Sequence, residues 1–354
     1  MNIIIYFIIL LLIIYIINIF NNNLKNIENF DNLENLENLE ITELLEISNR
    51  KFPFRYFKDE NNNTLPIVSL CAFFRNDNDK KLYNIYINKN IKVIGTTAYK
   101  TFPNKITDDS EDKYHLTDDF DYIKNINNWL ACMNNIELYN LNNNNIINIS
   151  ESDFYDADYN NISEKKYDFI YICNKDDDTC PLNGWNAINR NFNLALKCFP
   201  IMFNEFNLKG LIVGRVGCNL EELYKNNIEV TDWLEYHVLQ EKMRQSKFLF
   251  VPNIYDASPR VITECICKDM PILMNQSIIC GTKYITYQTG ELFIDEHDIR
   301  RVLTKLIGKL DKISPRNWWL NNYGSEKSSL KLRNFLYKQY PEILENIKKV
   351  SYII

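Results

Sequence analysis

Between Tyr167 and Leu310, short apolar runs alternate with stretches of helical spacing, and no other feature of the chain restricts its fold as much. The runs are YDFIYIC (Tyr167 to Cys173), LKGLIVG (Leu208 to Gly214), KFLFVP (Lys247 to Pro252) and PILMN (Pro271 to Asn275). A continuous apolar run of this length fits a strand buried on both faces. Between the first two, Trp185, Ile188, Phe192, Leu196 and Phe199 recur at helical spacing. Asp232 to Ser246 is helical in pattern, and Glu291 to Ile294 is a short fifth strand, with Asp295 placed to cap a helix through Leu310. Strands alternating with helices predict a parallel, doubly wound α/β sheet. Such a sheet receives ligands beyond the carboxyl ends of its strands.

The flanking segments are less regular. Ile67 to Phe74 and Ile91 to Ile94 read as strands, and TAYKTFPN (Thr97 to Asn104) as a loop closed by Pro103. The tail from Ser314 to Ile354 is helical, with Trp318, Trp319, Phe335 and Tyr340, and ends in a further short helix after Pro341. At the other end, Ile3 to Phe20 is apolar apart from Asn18, long enough to cross a bilayer as a helix. A signal peptide fits less well, because no Lys or Arg precedes the run and Asn21-Asn22-Asn23 stands where small residues would be cleaved. Lys25 alone does not set an orientation. Next, NLENLENLEITELLE (Asn32 to Glu46) places Leu33, Leu36, Leu39 and Leu44 near helical spacing on an acidic background, as a solvated or self-associating stem would. The expected organisation is therefore a transmembrane anchor at 1–20, an acidic helical stem at 21–50, Rossmann-like domains at 51–160 and 161–312, and C-terminal helices at 313–354 packing back towards the first domain.

With 354 residues, 46% apolar and 13% aromatic, the chain has material for two cores. A net charge of −6 with scattered basic residues argues against nucleic acid as a partner. The nine Cys contain no C-x-x-C pair, and His115, His237 and His297 are far apart, so no zinc-site pattern appears. Buried, inert thiols are expected, and disulfides only in an oxidising compartment.

The chemistry concentrates in NIYDASPRVITECICKDMPILMN, Asn253 to Asn275. The chain leaves a buried strand, makes a polar loop, and enters a helix with Ser258 as N-cap and Pro259 at the first turn. The unpaired N–H groups from Ser258 to Val261 form an anion site, and Arg260 adds positive charge. Asp256 and Glu264 stand eight apart, and a carboxylate further along such a helix can bind ribose hydroxyls. By spacing alone an ordinary capped helix with an Asp in the preceding turn is the plainer reading.

These residues resemble the Glu-x7-Glu region of retaining glycosyltransferases of the GT-B group-1 (GT4-like) family. Glu264 occupies the second Glu position and Asp256 replaces the first. Cys280-Gly281-Thr282 and Thr289 to Phe293 resemble the later glycine loop and strand, Gly184-Trp185 with Asn189-Arg190-Asn191 the helix start, and Gly214-Arg215 the turn after the second strand. DASPRVITE, SESDF (Ser150 to Phe154) and TAYKTFPN look most like members from algae and large DNA viruses.

The resemblance spans about residues 165–310 and implies two Rossmann-like domains facing a cleft, acceptor in the first and donor in the second. It implies a hexosyltransferase-like enzyme using a nucleoside diphosphate sugar, without metal or other cofactor, on a glycan, protein or lipid acceptor. Arg190 and Arg215 would neutralise the diphosphate, with Gly184, Gly214, Ser258, Pro259, Arg260 and Val261 around it. Glu264 would bind ribose and Asp256 the donor sugar. A single-pass chain of this kind would sit in a host endomembrane or a virion.

The departures from the family pattern are Asn183, where a phosphate-binding Lys is usual, and the shorter Asp256. They leave open a degenerate, membrane-tethered binding or scaffold protein. Asp176-Asp177-Asp178 also follows a strand as a D-x-D metal site does. A solvated acidic turn is the plainer reading.

Overall fold

The computed structural model describes residues 36–48, 51–98, 102–103, 119–139, 141, 145–157, 163–256 and 259–353. The apolar segment 3–20 lies outside them, as do most of the expected stem, half of Thr97 to Asn104, His115 and Ser258. Among the described residues no helix is long and apolar enough to cross a membrane.

Two six-stranded sheets carry the chain. Sheet one runs β12-β1-β2-β3-β4-β5, formed by β1 (Phe54–Asp59), β2 (Thr64–Leu70), β3 (Lys92–Thr97), β4 (Asn128–Ala131), β5 (Asn145–Asn148) and β12 (Val350–Ile353). From β2 to β5 its pairing is parallel; β1 is antiparallel to both β2 and β12. Sheet two runs β11-β10-β9-β6-β7-β8 and is parallel throughout. Its strands are β6 (Tyr167–Ile172), β7 (Gly210–Val213), β8 (Ile228–Thr231), β9 (Ser246–Val251), β10 (Ile272–Asn275) and β11 (Gly290–Phe293).

The helices of the first domain are α1 (Ile41–Ile47), α2 (Asp77–Asn88) and α3 (Tyr122–Asn125). Those of the second are α4 (Trp185–Asn189), α5 (Phe192–Pro200), α6 (Leu220–Tyr224), α7 (Tyr236–Arg244), α8 (Arg260–Cys267) and α9 (Ile299–Ile307). The tail adds α10 (Pro315–Asn322), α11 (Ser325–Gln339) and α12 (Pro341–Leu344).

Sheet two forms as its sequence requires. Phe169, Tyr171, Leu211, Ile212, Phe248, Leu249, Ile272 and Leu273 are all at most 1% exposed, because α4, α5 and α9 cover one face and α7, α8 and α10 the other. Each such side chain contributes roughly 1.5–3 kcal/mol on burial. The helical run from Trp185 is broken in two: Asn191 adopts a left-handed φ of 47° and its side chain caps α5 at the Leu194 N–H.

Two expectations need correction. Residues 36–48 are not a solvated spacer, since Leu36, Leu44 and Leu45 are at most 1% exposed and belong to the core beneath sheet one. The tail does more than pack as helices. Trp319 of α10 enters the core of sheet two, Leu332 and Leu336 of α11 cover sheet one, and the chain returns after α12 as β12 beside β1.

The domains meet along residues 278–284 and the tail. Asn134 N–H donates to the Ile279 carbonyl at 2.8 Å and the Cys280 thiol to the Cys132 carbonyl at 2.5 Å. Lys283 pairs with Asp153 at 2.8 Å, and the Tyr284 hydroxyl donates to the same carboxylate at 2.5 Å. The Trp319 indole donates to the Tyr155 carbonyl at 2.9 Å.

Candidate functional site

In sheet two the chain moves outward from β6 through β7 to β8, then returns to the far side of β6 as β9. The crevice between the carboxyl ends of β6 and β9 is thus the topological switch point, where open α/β sheets receive ligands. The loop of residues 173–184 leaves β6 there, and residues 252–259 leave β9.

Arg190 and Asp256 join across this crevice, with Arg190 Nη1 2.5 Å from Asp256 Oδ2. Their side chains keep 31% and 19% of their exposure, so the pair is reachable from solvent. Arg190 is the C-cap of α4, and the Tyr171 hydroxyl donates to its carbonyl at 3.2 Å. Asp256 lies close enough to Cys280 for its charge to reinforce the rise in that thiol's pKa, which burial pushes up to about 12. Since Cys280 touches the first domain, the ion pair stands beside the interdomain seam.

Arg215 is fully buried behind the crevice. Its Nε and Nη2 donate to Cys173 Sγ at 3.3 and 2.8 Å, and its guanidinium lies 4.2 Å from the Phe192 ring centroid. Asp176 Oδ2 is 4.0 Å from Nη2, and Nη1 has no hydrogen-bond partner among the described residues. Burial raises the Cys173 thiol pKa, while Arg215 and Arg190 both pull it down, which places both cations around one sulfur. Gly214 makes the turn possible: its φ is 92°, and a Cβ there would meet the Cys173 carbonyl oxygen at 2.7 Å.

Gly184 is the N-cap of α4, but a carboxylate of this chain fills the space beside it. Asp176 accepts from the Asn186 and Ala187 N–H groups at 2.7 and 3.1 Å, and a Cβ on Gly184 would lie 2.3 Å from its Cγ. Asp177 accepts from Thr179 N–H at 2.7 Å and Asp178 pairs with Lys175 at 2.8 Å. The three neighbouring carboxylates are thus committed to three different partners. Cys180 on this loop is disulfide-bonded to Cys218 on the loop after β7. The other seven cysteines are free and buried, as expected.

Helix α8 is finished differently. Pro259 is its N-cap and Arg260 its first residue, one position later than its sequence suggests, because Pro259 has a non-helical ψ of 75°. Among the described residues no side chain caps it. Pro259 packs over Gly281, where a Cβ would come within 2.7 Å of its ring. Val261 is half-buried on the same turn. Glu264 sits further along at 7% exposure, accepting from Gln240 Nε2 at 2.9 Å and from the Tyr236 hydroxyl at 3.4 Å. It thus faces α7.

Some residues of the cleft escaped sequence reasoning. Glu151, in the 3-10 turn that follows β5, has its carboxyl raised by burial and pulled back by Arg260 and Arg55, so it faces α8 from the first domain. Arg55 and Arg75 both act on Cys71, beside the carboxyl end of β2. Tyr236, bonded to Glu264, and Trp233, three residues before it, remain 60% and 58% exposed. Isolated charges and rings carry no spacing signal; only the SESDF resemblance touched one of them.

No protein-family model and no curated protein matches the chain. Solved structures do. A lipopolysaccharide outer core galactosyltransferase, WaaB, aligns with TM-score 0.55 and 10% identity over 77% of this chain and 75% of its own. A glycosyltransferase from Rickettsia africae aligns with TM-score 0.55 and 14% identity over 89% and 82%. Sucrose-phosphate synthase from Thermosynechococcus elongatus aligns with TM-score 0.50 and 12% identity over 78% and 74%. At these identities the likeness is one of architecture: the chain has the two-domain GT-B fold of glycosyltransferases.

Proposed function

We propose that the chain is a glycosyltransferase that moves a sugar from a nucleoside diphosphate sugar to a glycan, protein or lipid acceptor, with retention. The observation that carries this reading is the Arg190–Asp256 pair at the switch point of sheet two, with Asp256 on the loop that leads into the start of α8 at Arg260. A diphosphate leaving group spreads its charge over several oxygens and is stabilised by fixed donors around it. The open N–H groups of α8 with Arg260 supply such donors. Arg190 turns from Asp256 to the diphosphate as the donor enters, and the freed Asp256 meets the donor sugar. The unpartnered Nη1 of Arg215 is a buried donor for which a ligand oxygen is a natural acceptor. Glu264 binds ribose, and the exposed rings of Trp233 and Tyr236 offer a base a stacking surface.

The test is calorimetric titration with UDP, GDP and their sugars, followed by turnover. Arg190→Ala and Glu264→Ala are each expected to weaken nucleotide binding by roughly tenfold or more. Unchanged binding in both variants would remove the site assignment.

A second reading is a degenerate GT-B domain used for membrane-tethered binding. Asp176 filling the start of α4 and Asp256 neutralising Arg190 favour it. It predicts nucleotide binding without turnover. In either reading, residues 3–20 anchor the chain in a bilayer, such as a host endomembrane or a virion membrane. The Cys180–Cys218 bridge supports an oxidising side for the globular part.

A further inference from the structure

Helix α11 covers a face of sheet one, and its Lys327-to-Lys338 flank borders β5, the edge strand of that sheet among the described residues. Between helix and strand opens a groove of about 550 Å³, far from the crevice of sheet two. Its floor is apolar, with Ile147, Leu330 and Phe335, and Leu330 keeps 50% of its surface in water. Its rim carries Lys327, Lys331 and Lys338, and no carboxylate lines it. These lysines recur at i, i+4 and i+11, which puts them on one face of the helix.

The cations are not neutralised from within. Lys331 Nζ donates to the Asn148 carbonyl at 2.7 Å, and Lys327 Nζ donates to the Leu320 carbonyl. Both acceptors are neutral. Asp153 is the carboxylate whose field reaches Lys331, but it is bound to Lys283 at 2.8 Å. Burial pulls the Lys331 ammonium below its usual range, so the position disfavours an unaccompanied cation. A chain of net charge −6 has thus gathered three lysines around an exposed apolar trough, and among the described residues none of the three pairs with a carboxylate.

We infer that this groove seats an anionic phospholipid of the bilayer, its phosphate among Lys327, Lys331 and Lys338 and an acyl chain on Ile147, Leu330 and Phe335. The charge pattern selects an anionic headgroup over a zwitterionic one, and the apolar floor beneath it suits an acyl chain. The apolar run 3–20 independently brings a bilayer within reach. The inference does not rest on the sugar-transfer reading.

The experiment uses the full chain with phosphatidylcholine vesicles doped with a small fraction of photoreactive phosphatidylglycerol or photoreactive phosphatidylcholine. Labelled peptides are then located by mass spectrometry. Phosphatidylglycerol is expected to label the peptides holding Ile147 and Leu330 to Phe335 at least about tenfold more than phosphatidylcholine does. Raising the salt should erase the difference. The combined variant Lys327→Gln, Lys331→Gln and Lys338→Gln should lose that preference with unchanged Tm. Leu330→Gln, which keeps the lysines, should reduce labelling by both lipids. Equal labelling by the two lipids, labelling only elsewhere, or indifference to the lysine variant would overturn the inference, and an acidic peptide that crosslinks to these peptides where neither lipid does would assign the groove to a protein partner instead.

Discussion

Two helix starts follow the central strands of sheet two, α4 after β6 and α8 after β9, and they are completed in opposite ways. At α4 the chain supplies its own anion: Asp176 accepts from two backbone N–H groups and stands 4.0 Å from the buried Arg215. At α8 no side chain among the described residues does so, and Arg260 adds a charge instead. A helix start attracts anions through its unpaired donors, so whatever fills it first decides whether a ligand can. The comparison assigns α4 to holding the loops in place and α8 to receiving a phosphate.

The largest test falls on α4. Asp176→Ala leaves two N–H groups without their acceptor and Arg215 without its nearby carboxylate, and should cost about 3 kcal/mol in urea unfolding. A loss under about 1 kcal/mol would show that the carboxylate does not finish this helix. The next test is Arg260→Ala, expected to weaken UDP binding by roughly tenfold while Tm stays constant. If the nucleotide affinity survives that change but disappears in Asp176→Ala under folded conditions, the two ends have been assigned the wrong way round.

The smallest effect concerns Glu151, which faces Arg260. Its folded carboxyl is raised by burial, so its favourable contribution is complete below its ordinary pKa of about 4.5 and disappears as pH rises through the folded value. Glu151→Gln should therefore raise Tm by roughly 1–2 °C at neutral pH and leave it unchanged in acid. A rise of the same size in acid would mean that ionisation is not the cause.

Sheet two was largely legible because β6, β7, β9 and β10 are buried on both faces and read as unbroken apolar runs. The strand β8 was missed since IEVT sits at the sheet edge with every residue half-buried, leaving neither a run nor an alternation. Sheet one was harder for the same reason: β5 reads NIIN within an Asn-rich stretch, and β12 depends on pairing with β1, nearly three hundred residues earlier. At the site, sequence led to Arg190, Arg215, Asp256 and Glu264 but not to what they touch. Asp176 looked like a metal ligand or a solvated turn, because a helix cap ten residues downstream leaves no local pattern. Nor does spacing reveal which two of nine cysteines pair.

That pairing bears on how the protein must be made. The Cys180–Cys218 bridge spans 38 residues, and closing a ring of that size removes unfolded-chain freedom equivalent to about 4 kcal/mol. The glutathione-rich interior of a bacterial cell keeps such thiols reduced, whereas a secretory route oxidises them. Material from the two sources will share every residue and differ in whether the segments flanking Asp176 and Arg215 are tied, so a weak activity in one preparation would describe the expression host as much as the molecule.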